Sequence, residues 1–322
     1  MTYTSGGLIE ATDYNGFVST TSGANVNNVW STGTGDAGWG QPALSTVSAT
    51  NTITATQWAT LVNTLVNMGG QTGTTITSRT APTAGQTIGI LAALNTDLTN
   101  ITANRQNAVA NGTQFTGWTG TNSKTGGTSG NPWSITFTNT VTFGSADAAR
   151  YFFNAGGRIR IDVSKTSTDQ TGDPEWNDLA NNLCGDIFIT GGTATQTIAG
   201  TAYTGTTRIG GSASPNILAT TTGWYDLTPG GAATIVYKQF ADTAPYTNNF
   251  IQHSIARNAA STQLIITTLW SASDGDPISG GTAASGATPG TAPCTIVTYF
   301  PPSSTFLSTQ SWGTPTVAAT TA

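Results

Sequence analysis

His253 is the only histidine in the chain, so any Ser-His-Asp relay would have to run through it. It lies in Phe250-Ile251-Gln252-His253-Ser254-Ile255, where alternation puts it on one face with Ile251 and Ile255. That pattern favours a partly buried, hydrogen-bonded strand histidine over a general base. No GxSxG nucleophile elbow accompanies it. The densest acidic patch is Asp169, Asp173, Glu175 and Asp178, which has the residue types of a calcium site or a glycosidase-like carboxylate pair. A helix start explains Asp173 and Glu175 more simply, because acids near a helix N-terminus interact favourably with its dipole. Asp274-Gly275-Asp276 could also hold a cation, but it lacks the EF-hand ligand series and reads as a hairpin turn. No catalytic residue, cofactor site or metal ligand is therefore assigned, and no cofactor is expected.

Gly33-Thr34-Gly35-Asp36-Ala37-Gly38-Trp39-Gly40-Gln41 has the glycine spacing of a phosphate cradle. It lacks the preceding buried strand and following helix that a dinucleotide fingerprint requires, and reads as a tight structural loop. Nine tryptophans and eight tyrosines raise a different possibility, stacking of sugar rings on exposed aromatic faces. Trp58, Trp133 and Trp176 fall at core positions by periodicity. Trp39, Trp118, Trp224 and Trp312 lie in or near Gly-rich segments. Interfaces are enriched in Trp and Tyr, so Trp39, Trp58, Trp118, Trp224 and Trp312 are the candidate interface or recognition residues.

Composition limits the chemistry further. Only 8% of the 322 residues are charged and the net charge is −5, with no cluster of Lys or Arg. Nucleic-acid binding needs a basic footprint and is excluded. No apolar run of about 18 residues is present, so no spanning helix is expected. The start at Met1 lacks the features of a secretory signal, which implies assembly in a cytoplasm. Cys184 and Cys294 are the only cysteines. Two buried free thiols are favoured over a disulfide in a reducing compartment.

These residues must be positioned by two kinds of structure. Residues 1–112 read as a small helical docking or oligomerisation module. Thr54-Ala55-Thr56-Gln57 forms a capping box ahead of Trp58, Leu61, Val62, Leu65 and Met68, with Gly69-Gly70 as the stop. A second helix opens at Thr83-Ala84-Gly85-Gln86, carries Ile88, Leu91, Leu94, Leu98 and Ile101, and ends near Asn111-Gly112. An earlier one spans Asp13 to Trp30. Residues 113–132 read as a Gly/Thr-rich linker and 133–322 as a β-sandwich domain. Strands are expected at 133–138, 158–164, 186–190, 233–240, 249–257, 263–270 and 295–300. Two helices interrupt them, one capped by Ser145 and one by Asp173. The fold class is α+β: a small helical N-terminal module followed by a mainly antiparallel β-sandwich.

Ile9-Glu10-Ala11-Thr12-Asp13-Tyr14-Asn15, Val29-Trp30 with the loop after it, and Ile53 to Trp58 resemble the N-terminal module of virion structural proteins of tailed phages, marine and cyanobacterial myovirus examples included. The run Ala148-Ala149-Arg150-Tyr151-Phe152-Phe153-Asn154-Ala155-Gly156-Gly157-Arg158-Ile159-Arg160 resembles the core motif of their C-terminal domain. Gly223-Trp224-Tyr225-Asp226-Leu227 and Tyr246-Thr247-Asn248-Asn249 are also similar. The matches touch about half the chain.

The resemblance implies a non-enzymatic, repeated particle component: a tail, baseplate, neck or fibre-like subunit located in the virion. Other virion proteins and copies of itself are the expected partners, with no nucleic acid and no membrane. Two alternatives stay open, a module that binds a host receptor or surface glycan and a capsid decoration protein. An enzyme such as a polysaccharide depolymerase would need a second carboxylate facing Glu175.

Overall fold

The computed structural model describes residues 10–19, 23–84, 93–118, 132–165, 173–272, 294–299 and 305–321, with the backbone alone for 114–118, 173, 294–299 and 320–321. Helices come first: α1 (Ala11–Val18), α2 (Val26–Trp30), α3 (Ala55–Thr72) and α4 (Leu94–Ala103). Next come β1 (Gln114–Trp118), β2 (Trp133–Thr142), α5 (Ala146–Asn154), β3 (Arg158–Val163) and α6 (Asp173–Asp178), which continues as a π-helical run over Leu179–Cys184. Then follow β4 (Asp186–Ile189), β5 (Gln196–Ile198), β6 (Thr201–Tyr203), β7 (Thr206–Ile209), β8 (Ile217–Leu218), β9 (Thr234–Phe240), β10 (Phe250–Arg257), β11 (Gln263–Ala272), β12 (Cys294–Tyr299) and β13 (Thr316–Thr321). The class is α+β, helical at the N-terminus with a β domain after it.

Two antiparallel sheets organise that domain, in orders β1-β12-β3-β4-β7 and β13-β2-β11-β10-β9-β8, with β5-β6 as a separate hairpin. Period-2 patterning does what it should. Ile135, Phe137 and Val141 of β2 point inward, opposite Trp270, Thr268 and Leu264 of β11. Ile159 and Ile161 supply the inner face of the other sheet, and all the apolar members join one hydrophobic cluster. The same cluster takes in Tyr14, Phe17, Trp58, Leu61, Leu98 and Ile101 from the helices.

Helix α3 begins as its residues dictate. Thr54 accepts from Gln57 N, and Gln57 Oε1 accepts from Thr54 N at 2.8 Å, closing the capping box. Its end differs from the expected Gly69-Gly70 stop. The helix runs on to Thr72 and terminates at Gly73, which takes the left-handed conformation at φ 69°. Gly70 serves packing instead: a Cβ there would lie 2.2 Å from Phe306 Cε1.

The expected Asp13–Trp30 helix is two helices, because Ser19 and Asn25 are extended. Tyr14, Phe17, Val26 and Val29 are nevertheless all buried. The expected opening of the next helix at 83–86 falls partly outside the described residues. Its described part ends at Ala103, well short of Asn111, with Asn104 as the cap. Strand β1 occupies the start of the segment read as linker, and residues 119–131 lie outside the description.

The joints between elements are made in an unusual currency for a protein core: side-chain amides. Asn15 donates to Val47 O and accepts from Val47 N, both at 2.7 Å. Asn27 treats Leu44 the same way at 2.8 Å in each direction. Gln41 grips Thr309, giving to its carbonyl at 2.8 Å and taking from its N–H at 2.9 Å. Asn181 does so with Lys165, at 2.7 and 3.1 Å. In each case a neutral amide imitates a neighbouring strand and satisfies both polar groups of one residue.

Candidate functional site

Asn154 stands where the helical region meets the sheets. It ends α5 and is fully buried. Its Nδ2 donates to Asp36 O at 2.7 Å and Gly38 O at 3.0 Å, holding the Gly33–Gln41 loop. Its Oδ1 accepts from Tyr225 OH at 3.0 Å and Gln106 Nε2 at 3.3 Å. Trp39 Nε1 donates to the Asn154 carbonyl and to Arg105 O, each at 2.9 Å. One asparagine thus uses its full donor and acceptor capacity to join three separate segments. The loop is a structural clasp.

The arginines work similarly. Arg208 donates from Nε to Cys184 O at 2.6 Å and from Nη2 to Leu183 O at 2.7 Å, closing the carbonyl end of the π-helical run. Arg257 reaches Trp224 O at 3.3 Å and lies over its ring. Arg150 donates to the carbonyls of Thr32 and Ala37 and pairs with Asp147. Burial leads the forces that hold the Tyr225 hydroxyl above its ordinary pKa, keeping it a donor to Asn154.

The tryptophans named as candidate interface or recognition residues are mostly interior. Trp39, Trp58, Trp224 and Trp312 are at most 2% exposed, so none offers a ring face from this chain. Trp58 packs edge-on against Tyr14, and Trp224 stacks on Phe153 with centroids 5.2 Å apart. Gly38 and Gly223, beside Trp39 and Trp224, lie against neighbouring backbone, where a Cβ would collide with the carbonyl oxygens of Thr32 and Thr190 respectively. Trp118 lies in β1, where the register shifts between Phe115 and Trp118, and pairs with Ile296; its side chain lies outside the described residues.

His253 is fully buried and shares its inward face with Ile251 and Ile255. Its Nδ1 is 2.9 Å from Thr268 Oγ1, and its ring stacks on Tyr237 at 5.4 Å. Burial pulls its pKa from 6.5 down to about 3, so the ring is neutral at ordinary pH. Cys184 is also buried and free, and desolvation pushes its thiol up to about 12. Both are core groups.

The acidic patch assembles differently from its sequence grouping. Asp169 lies outside the described residues, as do Asp274 to Asp276 and the side chain of Asp173. Helix α6 begins at Asp173, with Pro174 and Glu175 in its first turn. Glu175 and Asp178, one helical turn apart, meet Asp242 from the turn after β9, and one oxygen from each lies within 4.8 Å of the others. Asp242 was missed because nothing in linear spacing ties it to α6. These carboxylates are the metal-capable group among the described residues.

A cavity of about 460 Å³ opens in the helical region, lined by Tyr14, Trp30, Ser45, Thr56, Gln57 and Thr60 among others, with no Asp, Glu, Lys or Arg. No family model matches the chain, and no curated protein or solved structure is significantly similar to it. No helix among the described residues is long and apolar enough to cross a membrane.

Proposed function

We propose that this chain is a structural component of a tailed-phage virion, assembling through its helical N-terminal part and packing or displaying the two-sheet domain within a tail, baseplate, neck or fibre-like appendage. Other virion proteins and further copies of the chain are its partners, and the host cytoplasm is where it assembles. The observation that carries the reading is the way the fold is fastened. Asn15, Asn27, Gln41, Asn154 and Asn181 tie distant segments through neutral hydrogen bonds. Such bonds are not screened by salt, whereas exposed ion pairs are. A particle that meets dilution and changing ionic strength needs that kind of joint. The segment Ala148–Arg160, which resembles the phage core motif, holds Arg150 and Asn154 at the junction. A cryo-electron map of the parent particle tests the proposal. It is supported by density for both sheets at a repeated site on the particle, and overturned if the chain is absent from purified particles.

The hydroxyl- and aromatic-lined cavity favours one second reading, binding of an uncharged host glycan. Glycan-array binding abolished by Ser45→Trp, with an unchanged melting temperature, would support it. No binding by the unsubstituted chain would remove it.

A further inference from the structure

Glu175 is 9% exposed, and its Oε1 is sealed from solvent with no hydrogen-bond partner. That orphaned oxygen belongs to the carboxylate that converges with those of Asp178 and Asp242. Burying a carboxylate oxygen without a partner is costly unless a cation or a proton accompanies it. The neighbours supply little relief. Thr243 beside it offers partial relief, and Asp242 and Asp178 add like charge. Elsewhere in the group Asp178 Oδ1 accepts from Asn182 Nδ2 at 2.7 Å, and Asp242 Oδ1 from Thr243 Oγ1 at 3.2 Å.

We propose that Glu175, Asp178 and Asp242 form a calcium site that fastens α6 to the turn between β9 and β10. The donors are all hard oxygens, which suits calcium or magnesium and not zinc. Coordination habit separates the first two. Calcium accepts irregular sets of several carboxylate oxygens, whereas magnesium demands near-ideal octahedral geometry and usually keeps several waters. Three carboxylates converging from a helix and a turn suit calcium better. The site adds an ionic fastener where three acids would otherwise repel.

The test uses the full chain, with CaCl2 or MgCl2 at about 10 mM against EDTA. For a sub-millimolar site, calcium raises the melting temperature by about 4 °C and magnesium by less than half of that. Terbium luminescence excited through tryptophan rises on binding and is displaced by calcium. Asp242→Asn removes the calcium response while melting in EDTA within about 1 °C of the unsubstituted chain. Glu175→Gln removes the response and raises the melting temperature in EDTA, because it takes out the buried charge. The proposal is overturned if the unsubstituted chain shows no saturable calcium response. A calcium response in either variant as large as that of the unsubstituted chain, or an equal effect of magnesium, overturns it too.

Discussion

The side-chain amide of Asn27 and the main chain of Leu44 exchange a matched pair of 2.8 Å hydrogen bonds, in the manner of adjoining β-strand residues. Asn27 is 2% exposed, so water cannot replace it. Asn27→Ala leaves the Leu44 N–H and C=O unpaired. The expected loss is about 2–4 kcal/mol of stability, from two hydrogen bonds and the desolvated groups left behind. Urea denaturation measures it. A loss below about 0.5 kcal/mol would show that the clasp contributes little.

Asn154 tests the same idea at the junction. Asn154→Ala strands a donor on Gln106 and acceptors on Asp36 and Gly38, and leaves the Tyr225 hydroxyl with the Arg150 carbonyl alone. A loss of about 3–5 kcal/mol is expected, with the Gly33–Gln41 loop becoming susceptible to protease. Asn154→Asp is also destabilising, since it exchanges the two donors for a buried charge. If either variant melts like the unsubstituted chain, the junction is held by apolar packing alone.

Titration of His253 gives a prediction of sign. Its folded pKa is depressed from 6.5 to about 3, so below pH 6.5 the unfolded chain binds more protons than the folded one. Stability is therefore retained in full above about pH 6.5 and lost as pH falls toward 3, by at most about 1.4 kcal/mol per unit. His253→Gln flattens the acid limb of a stability–pH curve over that window. An unchanged slope in the variant would place the acid sensitivity elsewhere.

Asn139 is the buried amide, among the described residues, with neither side-chain atom paired. It is fully buried in β2, and neither Oδ1 nor Nδ2 has a protein hydrogen-bond partner. Its cross-strand neighbours are Ile266 and Ala319. Asn139→Leu is expected to raise stability by about 1–3 kcal/mol, as an unsatisfied amide is exchanged for an apolar side chain of similar size. Destabilisation on calorimetry would show that the amide is paired after all.

How much of this was legible beforehand follows from range. Local signals worked: the Thr54–Gln57 box, the Ser145 cap and the alternation of Trp133, Ile135 and Phe137 all appear in the structure. The expected strands at 158–164, 233–240 and 263–270 match β3, β9 and β11 within two residues at each end. Short strands such as β5, β6 and β8 were invisible, because two or three residues carry no period. Tertiary facts were invisible for another reason. Gly70 looked like a stop and is a contact with Phe306, a partner far along the chain. The glycines near Trp39 and Trp224 did not reveal whether the rings were exposed or covered; Gly38 and Gly223 lie against neighbouring backbone, and both rings are interior. Asp242 and the partners of Asn15, Asn27 and Gln41 are known only once the chain is folded.

Neutral fastening is the claim on which the rest stands. Among the described residues the ion pairs are Arg79–Asp97 at 2.5 Å, Arg150–Asp147 at 2.8 Å and Arg160–Asp186 at 3.4 Å, the last two partly open to solvent. The direct test is unfolding free energy against NaCl from about 0.05 to 1 M, in EDTA, across which the Debye length shrinks from more than 10 Å to about 3 Å. The predicted change is within about 1 kcal/mol. A fall of several kcal/mol over that range would mean that screened charges hold the fold together, and would contradict the account.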